Sequence, residues 1–430
     1  MQGTSLKNLY ESYKAEGSSP IDGARKFRDK IRDLIGLGVN PLTGRTILLE
    51  TRKARPENFS LPELTEAMLG SNAEAMFEQR SKWRRHASLL EAGNTAIQPS
   101  QFIDISAWDS SVGGLIEAKM IEGYSTPEFI AEQITMHVPT KVNGGKIIGL
   151  GRIGDKAEAM APGQSHPRAQ FLERYITWPA PTKYGLAVEV TKEAAFFDLT
   201  GSILKQAETV GKEIALRKER RVFAVVIGVS QNPYNYGGTA YNTYLTSGNW
   251  INTQSNPLTD WTNVNLAWYL ASRMTDQEAS QRISIKLDSI LCTPYLVPTV
   301  DYIRRATSIE PLTSGSSSVY NAGQRTIAPN VTDYYGTSMS NYKVFSSTIL
   351  EQALTDAADG NISQTNAKQY WWAFEQQGAF AYAENWPFTV TEAPVNDYVM
   401  ADNDLVLAVF GNERGVPFVY EPRKVIRNTN

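Results

Sequence analysis

Residues 202–228, SILKQAETVGKEIALRKERRVFAVVIG, decide how this chain is organised. Ile203, Ala207, Val210 and Ile214 recur at a 4-3-4 spacing, which lays one apolar stripe along a helix. Thr200 stands where a cap is needed. About 26 residues rising 1.5 Å each predict a helix about 40 Å long. Its middle, Arg217-Lys218-Glu219-Arg220-Arg221, reads as a solvated or partner-facing charge run. Its end opens the longest apolar run, Val222–Val229, far short of the roughly 20 residues that span a bilayer.

Upstream, residues 140–190 are rich in Gly, Pro and alternating segments. Leu172, Ile176 and Trp178 alternate with polar neighbours, and Tyr184, Leu186, Val188 and Val190 make a second period-two run. Ahead of both runs, after the strand-like Lys146-Ile147-Ile148, lies the polar tip GDKAEAMAPGQSHPRAQ. The pattern predicts a long β-hairpin with little core of its own. The first 93 residues read as helices. Ser19-Pro20 starts one in which Ala24, Phe27, Ile31 and Leu34 share a face, stopped by Gly36 and Gly38. Ser71-Asn72-Ala73-Glu74 is a capping box before an apolar stripe of Met76, Phe77, Trp83, Ala87 and Leu90. Downstream, 231–275 is polar and aromatic, and the tail from Tyr370 reads as short strands with turns: AFAYAENWPFTVTEAP, DLVLAVFG and VPFVYEPRKVI. No internal repeat is visible.

At 430 residues, 42% hydrophobic and 20% charged, the chain has length for two or three lobes. Its net charge of −3 marks no dedicated nucleic-acid binder. Residues 1–100 nevertheless carry 15 Lys and Arg against 12 Asp and Glu, a mildly basic start on an acidic body. The single cysteine, Cys292, sits in Ile290-Leu291-Cys292 and reads as a buried, inert thiol in a reducing compartment. The opening MQGTSLKNLYESYK lacks the apolar stretch of a secretory signal, so a soluble protein made inside the cell is expected.

Catalytic patterns are weak. Gly149-Leu150-Gly151-Arg152-Ile153-Gly154 is formally a G-x-G-x-x-G after the strand-like Lys146-Ile147-Ile148. A dinucleotide site needs a helix there whose amides cradle the pyrophosphate, and Pro162-Gly163 cuts any such helix short. The glycines read as parts of a flexible hairpin. His86, His137 and His166 do not pair at metal-ligand spacing, and no nucleophile elbow, H-E-x-x-H or phosphate loop occurs. Asp397 and Asp402 are too ordinary on a loop to argue glycosidase chemistry. The loop Tyr234–Trp250 reads as packed by its own aromatics, with sugar binding or base stacking as the rival reading. Neither a catalytic site, a cofactor nor a metal is expected.

The order of elements, and the segments TKYGLAVEVTKEAAFFD before the long helix, DSILCTPYLVPTVDYIRR, APNVTDYYGTSMSNYKVFSS, AFAYAENWPFTVTEAP and FVYEPRKVI, resemble the tailed-bacteriophage major capsid proteins of the Johnson fold, named after phage Hong Kong ninety-seven. The resemblance covers residues 100–430. It implies an α+β fold with an N-terminal arm at 100–139, an E-loop hairpin at 140–186 and a peripheral domain with the spine helix at 187–230. An axial domain would fill most of 231–370, with strands at 371–430 returning to both domains. The helical region 1–99 has no counterpart; in many relatives a comparable segment serves as scaffold and is cut away.

The implied function is that of a structural protein, not an enzyme. It would self-assemble as hexamers and pentamers into an icosahedral head around double-stranded DNA, with portal and decoration or scaffold proteins as further partners and no membrane. Its place would be the virion capsid after assembly in the host cytoplasm. A hairpin short of core must bury its strands on a neighbour, so Lys146, Arg152, Asp155, Lys156 and Arg168 are the candidate inter-subunit contacts. Some relatives crosslink an E-loop lysine, for which Lys141, Lys146 and Lys156 are possible here. Residues 1–60, with 11 basic groups against seven acids, would either face the packaged DNA through weak, sequence-independent contacts or form a pair of amphipathic helices whose charges merely solvate one face. Two alternatives are an encapsulin-type compartment shell and a β-rich carbohydrate-binding or hydrolytic protein.

Overall fold

The computed structural model describes residues 3–17, 20–39, 46–49, 52–70, 99–126, 129–148, 160, 175–198, 201–230, 233–236, 238–248, 250–275, 282–305, 341–356, 358–394 and 404–429. The chain divides into two compact units. The first comprises Met1–Pro127, Lys183–Arg217 and Trp386–Arg414, and the second Glu128–Thr182, Lys218–Asn385 and Gly415–Asn430.

In the first unit, α1 (Gly3–Glu16), α2 (Pro20–Ile35) and α3 (Leu61–Leu69) pack with the long α4 (Pro99–Tyr124). Phe27 and Ile31 are fully buried, as the spacing predicts, and Gly36 takes a left-handed φ of 75° just past the end of α2. Leu6, Tyr10, Leu64, Trp108, Val112, Leu115 and Ile116 join one core with Val188, Val190, Ile203, Ala207 and Leu405–Val409. The N-terminal helices thus belong to the body of this unit. The helix with the capping box at Ser71, expected over 71–93, lies outside the described residues.

Residues 99–124, which take in much of the span 100–139 expected to be an N-terminal arm, are helical. Trp108, Val112, Leu115, Ile116 and Met120 are buried at helical spacing, and Ala118 and Lys119 are buried beside them. The helix is enclosed on most sides, so it lacks the one-sided stripe that marks a surface helix.

The predicted long helix runs as α7 (Ser202–Ile227), with Ile203, Ala207 and Ile214 buried. Thr200 lies outside the described residues. The Asp198 carboxylate accepts from the amides of Ser202 and Ile203 at 2.9 and 3.0 Å, satisfying two donors that a helix start leaves open. The charge run is not a uniformly solvated face: Lys218 is 7% exposed and Glu219 0%.

The second unit is built on a five-stranded mixed sheet of β9 (Thr253–Ser255), β10 (Ser289–Cys292), β11 (Lys343–Ser346), β12 (Trp371–Phe374) and β15 (Val425–Thr429). Their order across the sheet is β11-β10-β12-β15-β9. Every residue of β10 and β12 is buried, as expected for central strands covered on both faces. Tyr234, Tyr241 and Trp250 pack ring against ring at 5.8 and 5.3 Å, so this loop is held by its own aromatics.

The tail from Tyr370 is not made of short strands alone. β13 (Phe380–Pro394) and β14 (Leu405–Val419) are 15 residues each. Gly411 and Gly415, which look like breaks in sequence, lie inside β14. A Cβ on Gly415 would fall 2.4 Å from the Tyr382 ring, so the glycine makes room for that ring.

Candidate interaction surface

β4 (Gly145–Ile148) and β5 (Tyr175–Trp178) pair antiparallel, with Gly145 opposite Trp178, Lys146 opposite Thr177, Ile147 opposite Ile176 and Ile148 opposite Tyr175. This is the base of the predicted hairpin. An antiparallel pair is not the parallel frame of a nucleotide-binding βαβ unit, although the glycine motif itself, 149–154, lies outside the described residues.

The base has more core than its sequence suggests. β5 also pairs with β7 (Tyr234–Tyr236), and Ile176 and Trp178 are buried in the core of the second unit. A Cβ on Gly145 would lie 2.5 Å from the indole of Trp178, so glycine is what lets that ring come so close to the strand. The other face is open. Ile148 is 69% exposed and its partner Tyr175 38%. Lys146 is exposed on this strand, with its ammonium 5.9 Å from the centroid of Tyr175. Lys141 is also exposed. Arg152, Asp155, Lys156 and Arg168 lie outside the described residues, so of the five candidate contacts only Lys146 is placed.

Sequence reasoning missed the groups that moor the segment leading into the hairpin. This segment holds a single helical turn, α5 (Ala131–Ile134), followed by β3 (Thr135–Pro139). Glu219 accepts through Oε1 from Ile130 N at 3.0 Å and through Oε2 from Ala131 N at 2.7 Å. Burial pushes its carboxyl up to about 7, against the opposing pull of those two amides. Lys218 donates to Glu132 at 2.7 Å. β3 pairs parallel with the start of β13, where His137 Nε2 meets Glu384 Oε2 at 2.5 Å and Asn385 Nδ2 donates to the carbonyls of Thr140 and Val142. The signal available in sequence was a charge run interrupting a helix that is apolar on both sides of it.

Among the described residues no group of three or more His, Cys, Asp or Glu side chains could hold a metal ion, and no helix is long and apolar enough to cross a membrane. The arrangement is one of strands, moorings and an uncovered apolar face.

The sequence from 175 to 428 matches the model of the phage capsid protein family. The chain belongs to that family. Its function is structural, as a component of the shell, and its place is the virion capsid. Solved structures that this capsid protein resembles include the capsid of the cyanophage P-SCSP1u, at 14% identity over 70% of this chain and 88% of that one, with a TM-score of 0.39. Gordonia phage Cozz matches at 14% identity over 71% and 87%, TM-score 0.40. A virus-like particle from Pyrococcus furiosus matches at 8% identity over 73% and 97%, TM-score 0.38. No curated protein sequence matches the chain.

Proposed function

We propose that this capsid protein is the major subunit of an icosahedral head that encloses the double-stranded DNA of a tailed phage, assembling from hexamers and pentamers in the host cytoplasm. It performs no catalytic step. In this reading 140–186 is the E-loop and Ser202–Ile227 the spine helix of a peripheral domain at 187–230. Most of 231–370 is the axial domain, and the strands of 371–430 return to both. Portal, scaffold or decoration proteins complete the head, and the basic excess of residues 1–60 gives weak contact with DNA.

The observation that carries the reading beyond family membership is the hairpin base. One face is sealed in its own subunit by Ile176 and Trp178, and the other presents Ile148 and Tyr175 to solvent. A second copy can cover that face, and assembly then stabilises each subunit through many modest contacts. Negative-stain microscopy of the purified protein tests it. Closed shells, or five- and six-membered rings, are expected. A protein that stays monomeric at concentrations and salt that support shell formation by other capsid proteins overturns the reading.

A further inference from the structure

The Glu219 carboxylate sits at 0% exposure in the interior of the second unit, and its hydrogen-bond partners are the main-chain amides of Ile130 and Ala131. These are orphan donors at the start of a single helical turn, which has little stability of its own. The charged groups around Glu219 make their bonds elsewhere, although the charge of Lys218 still favours its ionised form. Lys218 is bound to Glu132 and lies 4.6 Å from the Tyr382 ring, and Glu132 itself is a like charge. Arg220 donates to Gln352, Arg221 donates to the carbonyl of Gly415, and on the strands His137 and Glu384 hold each other. Among the described residues no ammonium or guanidinium is bonded to Glu219. Burial makes the ionised carboxyl costly in that position and outweighs the two amides and the Lys218 charge, which favour it.

We propose that Glu219 is a proton-operated latch on residues 129–142, the segment that leads into the hairpin. Neutral Glu219 keeps the segment closed on the spine helix. Ionised Glu219 shifts it toward an opened form in which the carboxylate reaches water. The sign follows from linkage. Burial raises the group to about 7 in the closed form, whereas in water it has its ordinary carboxylate value, so protons favour closure and their loss favours opening. The latch acts within one subunit and goes beyond the shell-forming role.

Hydrogen–deuterium exchange of the full-length subunit, corrected for intrinsic exchange at each pH, reads the opening directly. From about pH 6 to about pH 8.5 the opening constant of peptides covering 129–139 is expected to rise about ten-fold. Glu219→Gln, a permanently neutral stand-in, should flatten that rise. Glu132→Gln frees the Lys218 ammonium to face Glu219, favours its ionised form and should move the midpoint to lower pH, which supplies a second reading if Glu219→Gln does not fold. His137→Asn should leave the slope in place. A native protein without the slope, a slope that survives Glu219→Gln, an unmoved midpoint in Glu132→Gln, or a slope abolished by His137→Asn would each overturn the proposal.

Discussion

Gly123 on α4 and Gly211 on α7 form a reciprocal contact in the first unit. A Cβ on Gly123 would fall 2.1 Å from the carbonyl oxygen of Glu208, and one on Gly211 would fall 2.1 Å from that of Met120. The two helices therefore meet backbone to backbone, and neither position has room for a methyl group. Gly123→Ala or Gly211→Ala must push the helices apart, at a cost of about 2 kcal/mol or more in each case. The intrinsic helix preference of alanine over glycine, about 1 kcal/mol, works in the other direction and is outweighed. Denaturant titration should show each midpoint lowered; an unchanged or raised midpoint would contradict the close crossing.

Lys119 lies between the same two helices, 4% exposed, with Glu57 at 2.5 Å, Glu122 at 2.9 Å and Glu208 at 3.8 Å. Burial by itself lowers its pKa, but hydrogen bonds to Glu57 and Glu122 and their charges leave it raised. Burial likewise raises Glu122, yet Lys119 and Arg52 hold it below the usual carboxylate range. Lys119→Met leaves the carboxylates crowded around an apolar chain and should cost about 3 kcal/mol at neutral pH. Because the Glu122 value is depressed in the folded state, its contribution is present above the ordinary carboxylate range and is lost as pH falls through the folded value. Stability curves of native protein and variant should therefore converge as pH falls below the ordinary carboxylate range. A gap independent of pH would point to packing alone.

Much of this fold was legible, and the misses share one physical cause. The α7 helix was visible because Ile203, Ala207 and Ile214 make a one-sided stripe, and Phe27 and Ile31 did the same for α2. α4 was hidden because residues such as Ala118 and Lys119 are buried along with the Trp108–Met120 stripe, and because Gly113, Gly114 and Gly123 look like breakers. β14 was cut in two on paper for the same reason, since Gly411 and Gly415 are there to admit Met120, Ile214 and Tyr382. A glycine that marks a turn and one that marks a close approach are the same letter. The candidate surface was legible as a hairpin, but its mooring by Glu219 was not, because a buried acid and a solvated one look alike within a charge run.

Cys292 offers a probe of the second core. It is fully buried in β10, and burial, with a smaller push from Asp301, moves its thiol up to about 12. Thiolate is the reactive form, so at pH 8 the folded protein should not react with an aromatic disulfide reagent. Full reaction should appear only in denaturant. Rapid labelling of the folded subunit would mean that the five-stranded sheet opens far more readily than its burial implies.

The last prediction concerns the open face of the hairpin base. Ile148 and Tyr175 are cross-strand partners with most of Ile148 and over a third of Tyr175 in water, so neither contributes much to the subunit's own core. Replacing both with serine removes apolar surface that only an assembled neighbour would cover. Such surface substitutions change subunit stability within about 0.5 kcal/mol. At an interface, by contrast, each buried side chain of this size is worth about 1.5–3 kcal/mol, repeated at every copy in a shell. The double variant Ile148→Ser, Tyr175→Ser should therefore melt like the native subunit yet assemble poorly or only at much higher concentration. Lys146→Ala, which trims one exposed cation beside Tyr175, should have a smaller effect in the same direction. Light scattering of assembly beside thermal melts of the dissociated subunit separates the two quantities. Normal shells from the double variant would show that this face stays in water after assembly.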